Sequence, residues 1–292
     1  MPNVQSILAI TDFSLGARHA VERSIRLADE LEVSRVGVLH VLERSLVDGL
    51  RQLFGGASDL PDSFDVGARQ TLQRLLREID TPAGVQVEAL LRSGRPLAAV
   101  LAAAEDFDML VVGARGQTKR HRLALGTTSR ALLRAHSEPV LVVREAPVGP
   151  YRRVLVAIDF SDYSEAALAW ARTLAPNAAL NLVHVFDNPS PRSASYVRVS
   201  HEGLAKFRRR IRMKAEKRME ELVAELQGLG QPFDHRIVEG DPATLLLEQA
   251  SALEADLLVI CKHARPSTEQ FLLGSVTLRV LDDSVCDVLV VQ

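Results

Sequence analysis

The chain repeats itself once. Ser6-Ile7-Leu8-Ala9-Ile10-Thr11-Asp12-Phe13-Ser14 returns as Arg153-Val154-Leu155-Val156-Ala157-Ile158-Asp159-Phe160-Ser161. Leu39-His40-Val41 returns as Val183-His184-Val185, and Gly94-Arg95-Pro96 as Gly240-Asp241-Pro242. Pro139-Val140-Leu141-Val142-Val143 returns as Asp287-Val288-Leu289-Val290-Val291. The offset between copies stays between 144 and 148 residues, so few insertions separate them. Solenoid repeats run roughly 20–50 residues, so a period this long is a duplicated domain. A length of 292 residues gives each copy enough chain to bury its own core. The join falls near Ala146-Pro147-Val148-Gly149-Pro150, which has linker composition, so the domains are expected at 1–146 and 151–292.

Within each copy, short apolar runs alternate with amphipathic segments. In the first copy, residues 7–10, 36–41, 85–91, 109–112 and 140–143 read as strands. Most are continuously apolar, as strands covered on both faces are. Val85, Val87, Ala89 and Leu91 fall at alternate positions, with Gln86 and Glu88 between the first three, which suits a strand nearer an edge. Between them, Ser14 or a neighbour can cap a helix running to Leu31, with Ala17, Ala20, Val21, Ile25, Leu27 and Ala28 at helical spacing. Further helices are expected over 63–80, 96–105 and 125–135. Strand and helix in strict alternation imply a parallel sheet covered by helices, and right-handed crossovers favour a doubly wound order.

One glycine pattern is intact in the first copy and damaged in the second. Gly113, Gly116 and Gly126 follow the apolar run Met109-Leu110-Val111-Val112, and Thr127, Thr128 and Ser129 come next. The same three places in the second copy hold Cys261, Ala264 and Gly274. In an open α/β sheet, ligands sit beyond the carboxyl ends of the strands where strand order reverses. Asp12 closes the first strand and Gly113 the fourth, which would be neighbours there. Glycine lets backbone N–H groups approach an anion, and a helix start supplies N–H groups and a favourable dipole. Lys119-Arg120-His121-Arg122 adds positive charge; its counterpart is Ser267-Thr268-Glu269-Gln270. The bland reading is a set of turn glycines beside a solvated basic loop. Neither G-x-x-x-x-G-K-[ST] nor G-x-G-x-x-G is present, which weakens P-loop, kinase and dinucleotide-dehydrogenase readings.

The conjunction of these features resembles the universal stress protein family. ATP-binding members carry G-x2-G-x9-G-[ST], and Gly113, Gly116, Gly126 and Thr127 fit it. The first strand ending at Asp12 and the closing Pro139–Val143 stretch also resemble that family, and the likeness spans both copies. It implies an α/β fold of two tandem doubly wound domains, each a five-stranded parallel sheet of order 3-2-1-4-5 flanked by helices. It implies ATP as ligand, with Asp12 and Val41 at the adenosine and Gly113, Gly116, Gly126, Thr127, Thr128 and Ser129 at ribose and phosphates. Mg²⁺ would come in through the phosphates. It further implies pairing of the two domains within the chain through their last strands, Val140–Val143 and 288–291, with a homodimer and an unidentified protein partner left open. Replacing Gly113 by valine is expected to abolish binding with the fold intact. The second copy departs from the pattern at two glycines and at the basic run, so triphosphate binding there is not expected.

Other features weigh less. A net charge of −2 does not suggest a nucleic-acid partner, and two cysteines give no disulfide framework. No apolar run is long enough to span a bilayer, so a cytoplasmic location without membrane association is expected. Lys206, Arg208, Arg209, Arg210, Arg212, Lys214, Lys217 and Arg218 read first as a solvated helix face, the alternative being a contact with an acidic partner, RNA or a membrane surface. His40 and His184 read as hydrogen-bonded structural residues, since no further metal ligands accompany them. Cys261 and Cys286 read as buried thiols. Residues 45–54 could fold over the adenine pocket, a core edge or a subunit contact. No general base accompanies the loop, so no catalytic residue is assigned and hydrolysis is expected to be slow at most. Two alternatives stay open: a nucleotide-free scaffold or binder of another small ligand, and an adenylating enzyme. The latter would need an S-G-G-x-D-S type loop where this chain has Thr11-Asp12-Phe13-Ser14-Leu15-Gly16.

Overall fold

A computed structural model describes residues 2–43, 60–114, 125–187, 201–228, 230–262 and 273–292. In the first copy the elements are β1 (Ser6–Ile10), α1 (Leu15–Glu30), β2 (Arg35–Glu43), α2 (Leu60–Glu78), β3 (Gln86–Gly94), α3 (Pro96–Ala104), β4 (Met109–Gly113), α4 (Thr127–Ala135) and β5 (Val140–Val143). The second copy follows as β6 (Arg153–Ala157), α5 (Asp162–Leu174), β7 (Ala179–Phe186), α6 (His201–Leu226), β8 (Phe233–Glu239), α7 (Pro242–Ala252), β9 (Leu257–Cys261), α8 (Ser275–Asp283) and β10 (Asp287–Val291).

Each copy forms a parallel sheet of order 3-2-1-4-5. The strands join into one ten-stranded sheet, β3-β2-β1-β4-β5-β10-β9-β6-β7-β8. At its centre β10 runs antiparallel to β5, with Val288 opposite Val142, Leu289 opposite Leu141 and Val290 opposite Val140. Two apolar strands that would otherwise present open backbone edges cover each other. The alternating strand β3 does lie at an outer edge.

The pleat sends successive side chains to opposite faces, and both faces are buried. Ile7, Ala9 and Val111 pack with Ala20, Val21 and Ile25 of α1, Leu72 of α2, Ala167 of α5 and Met219 of α6. Leu8, Leu110 and Val112 pack with Val100 of α3, Leu132 of α4, Leu246 of α7 and Val280 of α8. The molecule is therefore a helix–sheet–helix sandwich. Element limits differ modestly from the sequence expectation. β2 continues to Glu43 because it stays paired to β3, while α4 starts at Thr127, two residues later than expected, because Gly126 keeps an extended backbone.

Candidate functional site

β1 pairs with β2 on one side and β4 on the other, so strand order reverses between β1 and β4. Ala9 lies beside Val111, which brings the carboxyl ends of both strands, and hence Asp12 and Gly113, to one crevice. The chain leaves β1 through a tight turn. Asp12 Oδ1 accepts from the Ser14 N–H at 3.0 Å, Thr11 Oγ1 accepts from the Phe13 N–H at 3.1 Å, and Phe13 takes a left-handed φ of 63°. That conformation is costly for a bulky residue, and residues held so cluster at functional sites. Ser14 then caps α1 by accepting from the Ala17 N–H.

The second copy makes the same turn. Ser161 N–H reaches Asp159 Oδ1 at 3.0 Å and Phe160 has φ 60°. Both matched histidines serve this turn. His40 Nδ1 lies 2.8 Å from the Thr11 carbonyl and His184 Nδ1 2.7 Å from the Ile158 carbonyl, so each Nδ1 carries a proton. Their rings lie 4.2 and 4.4 Å from Phe13 and Phe160. Burial holds the His184 pKa below its ordinary value. These are structural histidines, and among the described residues no group of His, Cys, Asp or Glu could hold a metal ion.

Two of the motif residues have structural work of their own. A Cβ on Gly113 would stand 2.6 Å from both the carbonyl carbon and the oxygen of Gly16. Glycine at 113 thus lets the first turn of α1 rest on the end of β4. The expectation that Gly113→Val spares the fold is corrected: the obstacle is backbone, which cannot swing aside. Ser129 spends its hydroxyl hydrogen on the Gly113 carbonyl at 3.1 Å, and Thr277 repeats this bond to Cys261 at 2.9 Å.

The start of α4 is different. Gly126 is its N-cap, with φ −60° and ψ 151°, and no side chain caps the helix. Gly126 gives its own N–H to Ala114. The first-turn N–H groups of Thr127, Thr128 and Ser129 have no i−4 partner in a helix, and both threonine side chains are exposed. Such an end favours an anion. Val41 is half-buried in β2, two residues beyond Leu39, whose carbonyl accepts from Thr11. Gly116, the basic run 119–122 and residues 45–54 lie outside the described residues, as do Ala264 and 267–270.

The second copy adds a serine to this turn. Asp159 Oδ1 takes the Ser161 hydroxyl at 2.5 Å and the Ser164 hydroxyl at 2.6 Å, besides the Ser161 N–H. Ser164 stands where the first copy has Ala17. Cys261 is buried, and burial with the nearby Asp159 carboxylate pushes its thiol up to about 12. Cys286 is buried and raised by the same desolvation. Lys262, the residue after Cys261, is 3% exposed and points into the first domain.

The remaining polar features lie elsewhere. A cavity of about 390 Å³ at the domain join is lined by Arg23, Tyr151 and Asp287, among others, and by none of the eight candidate ligand-binding residues. Tyr151 donates to Asp287 Oδ2 at 2.7 Å, and Arg23 Nε lies 3.4 Å from the same oxygen without aligning as a hydrogen bond. On α6, Ala215 and Met219 face the core while Lys206, Arg209, Arg210, Lys214 and Lys217 are exposed. Lys206–Glu202, Lys217–Glu221 and Arg208–Glu239 pairs balance part of that charge.

The sequence model of the universal stress protein family matches residues 3–144 and again residues 150–292. The chain belongs to the universal stress protein family. A universal stress protein of Mycolicibacterium smegmatis is 32% identical over 219 residues, covering 72% of this chain and 70% of its own. Universal stress protein A homolog 2 of Coxiella burnetii is 34% identical over 146 residues, covering 49% of this chain and 95% of its own. Among solved structures, a universal stress protein from Archaeoglobus fulgidus superposes with a TM-score of 0.69 at 22% identity, covering 99% of both chains, which shows the shared tandem fold. No described helix of this universal stress protein is long and apolar enough to cross a membrane.

Proposed function

We propose that the chain is a cytoplasmic stress-response protein that binds one ATP, in its first domain, and acts as a nucleotide-dependent sensor or partner-binding module. The adenosine lies against Asp12 and the end of β2 at Val41. The phosphates lie on the 113–116 loop and on the first-turn N–H groups of Thr127 and Thr128. Ser129 supports the loop through Gly113 and contributes its N–H. Mg²⁺ enters with the phosphates. The observation that carries this reading is the meeting of Asp12, Gly113 and the uncapped start of α4 at the reversal of strand order. The second domain binds no ATP: the Ser161 and Ser164 hydroxyls engage Oδ1 of Asp159, and a buried thiol replaces the first glycine. Its strands instead pair with the first domain's within one chain.

A specific observation favours a second reading, a nucleotide-free scaffold. Gly113 and Ser129 are both explained by packing and hydrogen bonding inside the fold. Acid release of small molecules from the purified protein, read by mass spectrometry, together with melting in the presence of ATP, separates the two. The proposal expects ATP or ADP in the extract or a rise in Tm with ATP, since a ligand that binds only the native state stabilises it. No nucleotide and no shift would leave the scaffold.

A further inference from the structure

α4 is the helix whose start carries Thr127, Thr128 and Ser129, and it has only nine residues. A helix that short is marginal unless its surroundings hold it. Both of its ends are held by the second domain. At the start, Asp282 Oδ1 accepts from the Leu125 N–H at 3.2 Å and from Arg130 Nη2 at 2.5 Å. At the finish, the buried Lys262 ammonium donates to the carbonyls of Arg134 and His136, at 3.0 Å each, and to Gln292 Oε1 at 3.2 Å. A cation over the last carbonyls also complements the helix dipole. Taking a lysine out of water is costly, and its three acceptors offset that cost.

The two helices are held by different residues. At the 148-residue offset, Lys262 corresponds to Ala114 and Asp282 to Arg134. The first domain therefore does not repeat these two contacts on α8; it makes a different one, the Arg144 guanidinium donating to the Leu281 carbonyl in the last turn of α8. Lys262 also sits directly after Cys261, inside the loop that departs from the glycine pattern.

We propose that the second domain braces the first: Lys262 and Asp282 are positioning residues that fix α4 so that its first-turn N–H groups converge on the phosphates. This rests on the ATP reading above. Its substance is that a residue beside the altered glycine position of one domain holds the ligand-facing helix of the other. By linkage, ATP bound in the first domain must strengthen the interdomain contact by the same factor.

The test compares wild type with Lys262→Met, Lys262→Arg and Asp282→Ala, measuring the Kd for ATP and amide hydrogen exchange in peptides covering 125–136, with 96–104 of α3 as an internal control. The brace predicts a Kd raised by about five-fold or more in Lys262→Met and Asp282→Ala. It predicts near-wild-type affinity in Lys262→Arg, and faster exchange confined to 125–136. Unchanged exchange in 125–136 overturns the brace whether or not ATP binds. Faster exchange with unchanged or tighter ATP binding overturns its coupling to the site. Faster exchange in a protein whose wild type binds no ATP supports the brace and sinks the ATP reading instead. If Lys262→Met does not fold, Asp282→Ala carries the same two readouts.

Discussion

Gly113 rests on Gly16: a Cβ added at 113 would lie 2.6 Å from the Gly16 carbonyl carbon. The first glycine of the motif is therefore a packing residue of the β4–α1 contact, whatever else it does. Gly113→Ala should destabilise the protein by about 1–3 kcal/mol, the usual range for overpacking, because backbone must move to admit the methyl. Urea unfolding measures it. Wild-type stability in the alanine variant would show that the contact opens without cost.

Ser129 and Thr277 make matched bonds to the strand ends beneath them. Truncating either to alanine removes one helix-to-strand hydrogen bond and should cost about 0.5–1.5 kcal/mol. Ser129→Ala should lower ATP affinity only slightly, since its hydroxyl hydrogen is already spent on Gly113. A loss of binding comparable to that on altering the Gly126 cap would mean that the hydroxyl turns to the phosphates.

Asp287 is a carboxylate in a buried strand, where the first copy has Pro139. It accepts from Tyr151 and from the Arg144 N–H and sits beside the buried Arg23. Burial pushes its pKa up against the pull of Arg23. Asp287→Ala leaves the Arg23 guanidinium buried without its counter-charge, and breaking a buried pair costs about 3–5 kcal/mol. Replacing Arg23 by methionine in the same chain should recover part of that loss. Equal stability of the single and double variants would refute the pairing argument.

Cys261 gives a pH signature. Its thiol ionises near 9.0 ordinarily and at about 12 in the fold. A folded pKa above the unfolded one gives a contribution that is complete below 9.0 and is lost as pH rises toward 12. Between pH 8 and pH 10, wild type should lose about 1 kcal/mol more unfolding free energy than Cys261→Ala. Parallel pH profiles would mean that the thiol is not buried as described. The native thiol should also resist alkylating reagents near neutral pH.

The repeat and the apolar runs made the two parallel sheets legible, since continuous strands such as Leu110-Val111-Val112 admit little but burial on both faces. The edge position of β3 followed from its alternation. The crevice at Asp12 and Gly113 was legible because strand order and strand ends fix it. The left-handed turn at Phe13 and Phe160 was not, because nothing in propensity favours phenylalanine there; the repeated Asp-Phe-Ser was its only trace. Nor were the contacts that join the domains. Lys262 reaches His136 across 126 residues, and no local period encodes such a pair. A lysine closing an apolar strand, and an aspartate opening the last one, were signals that chain-local reasoning passed over.

Equilibrium titration of the intact chain with Mg-ATP, by calorimetry, is the measurement that tests the account most directly. A stoichiometry of one per chain, unchanged by Cys261→Ala and lost when the Gly126 cap is replaced by leucine, is the predicted result. Two sites per chain, or one site that survives the change at Gly126, would contradict it.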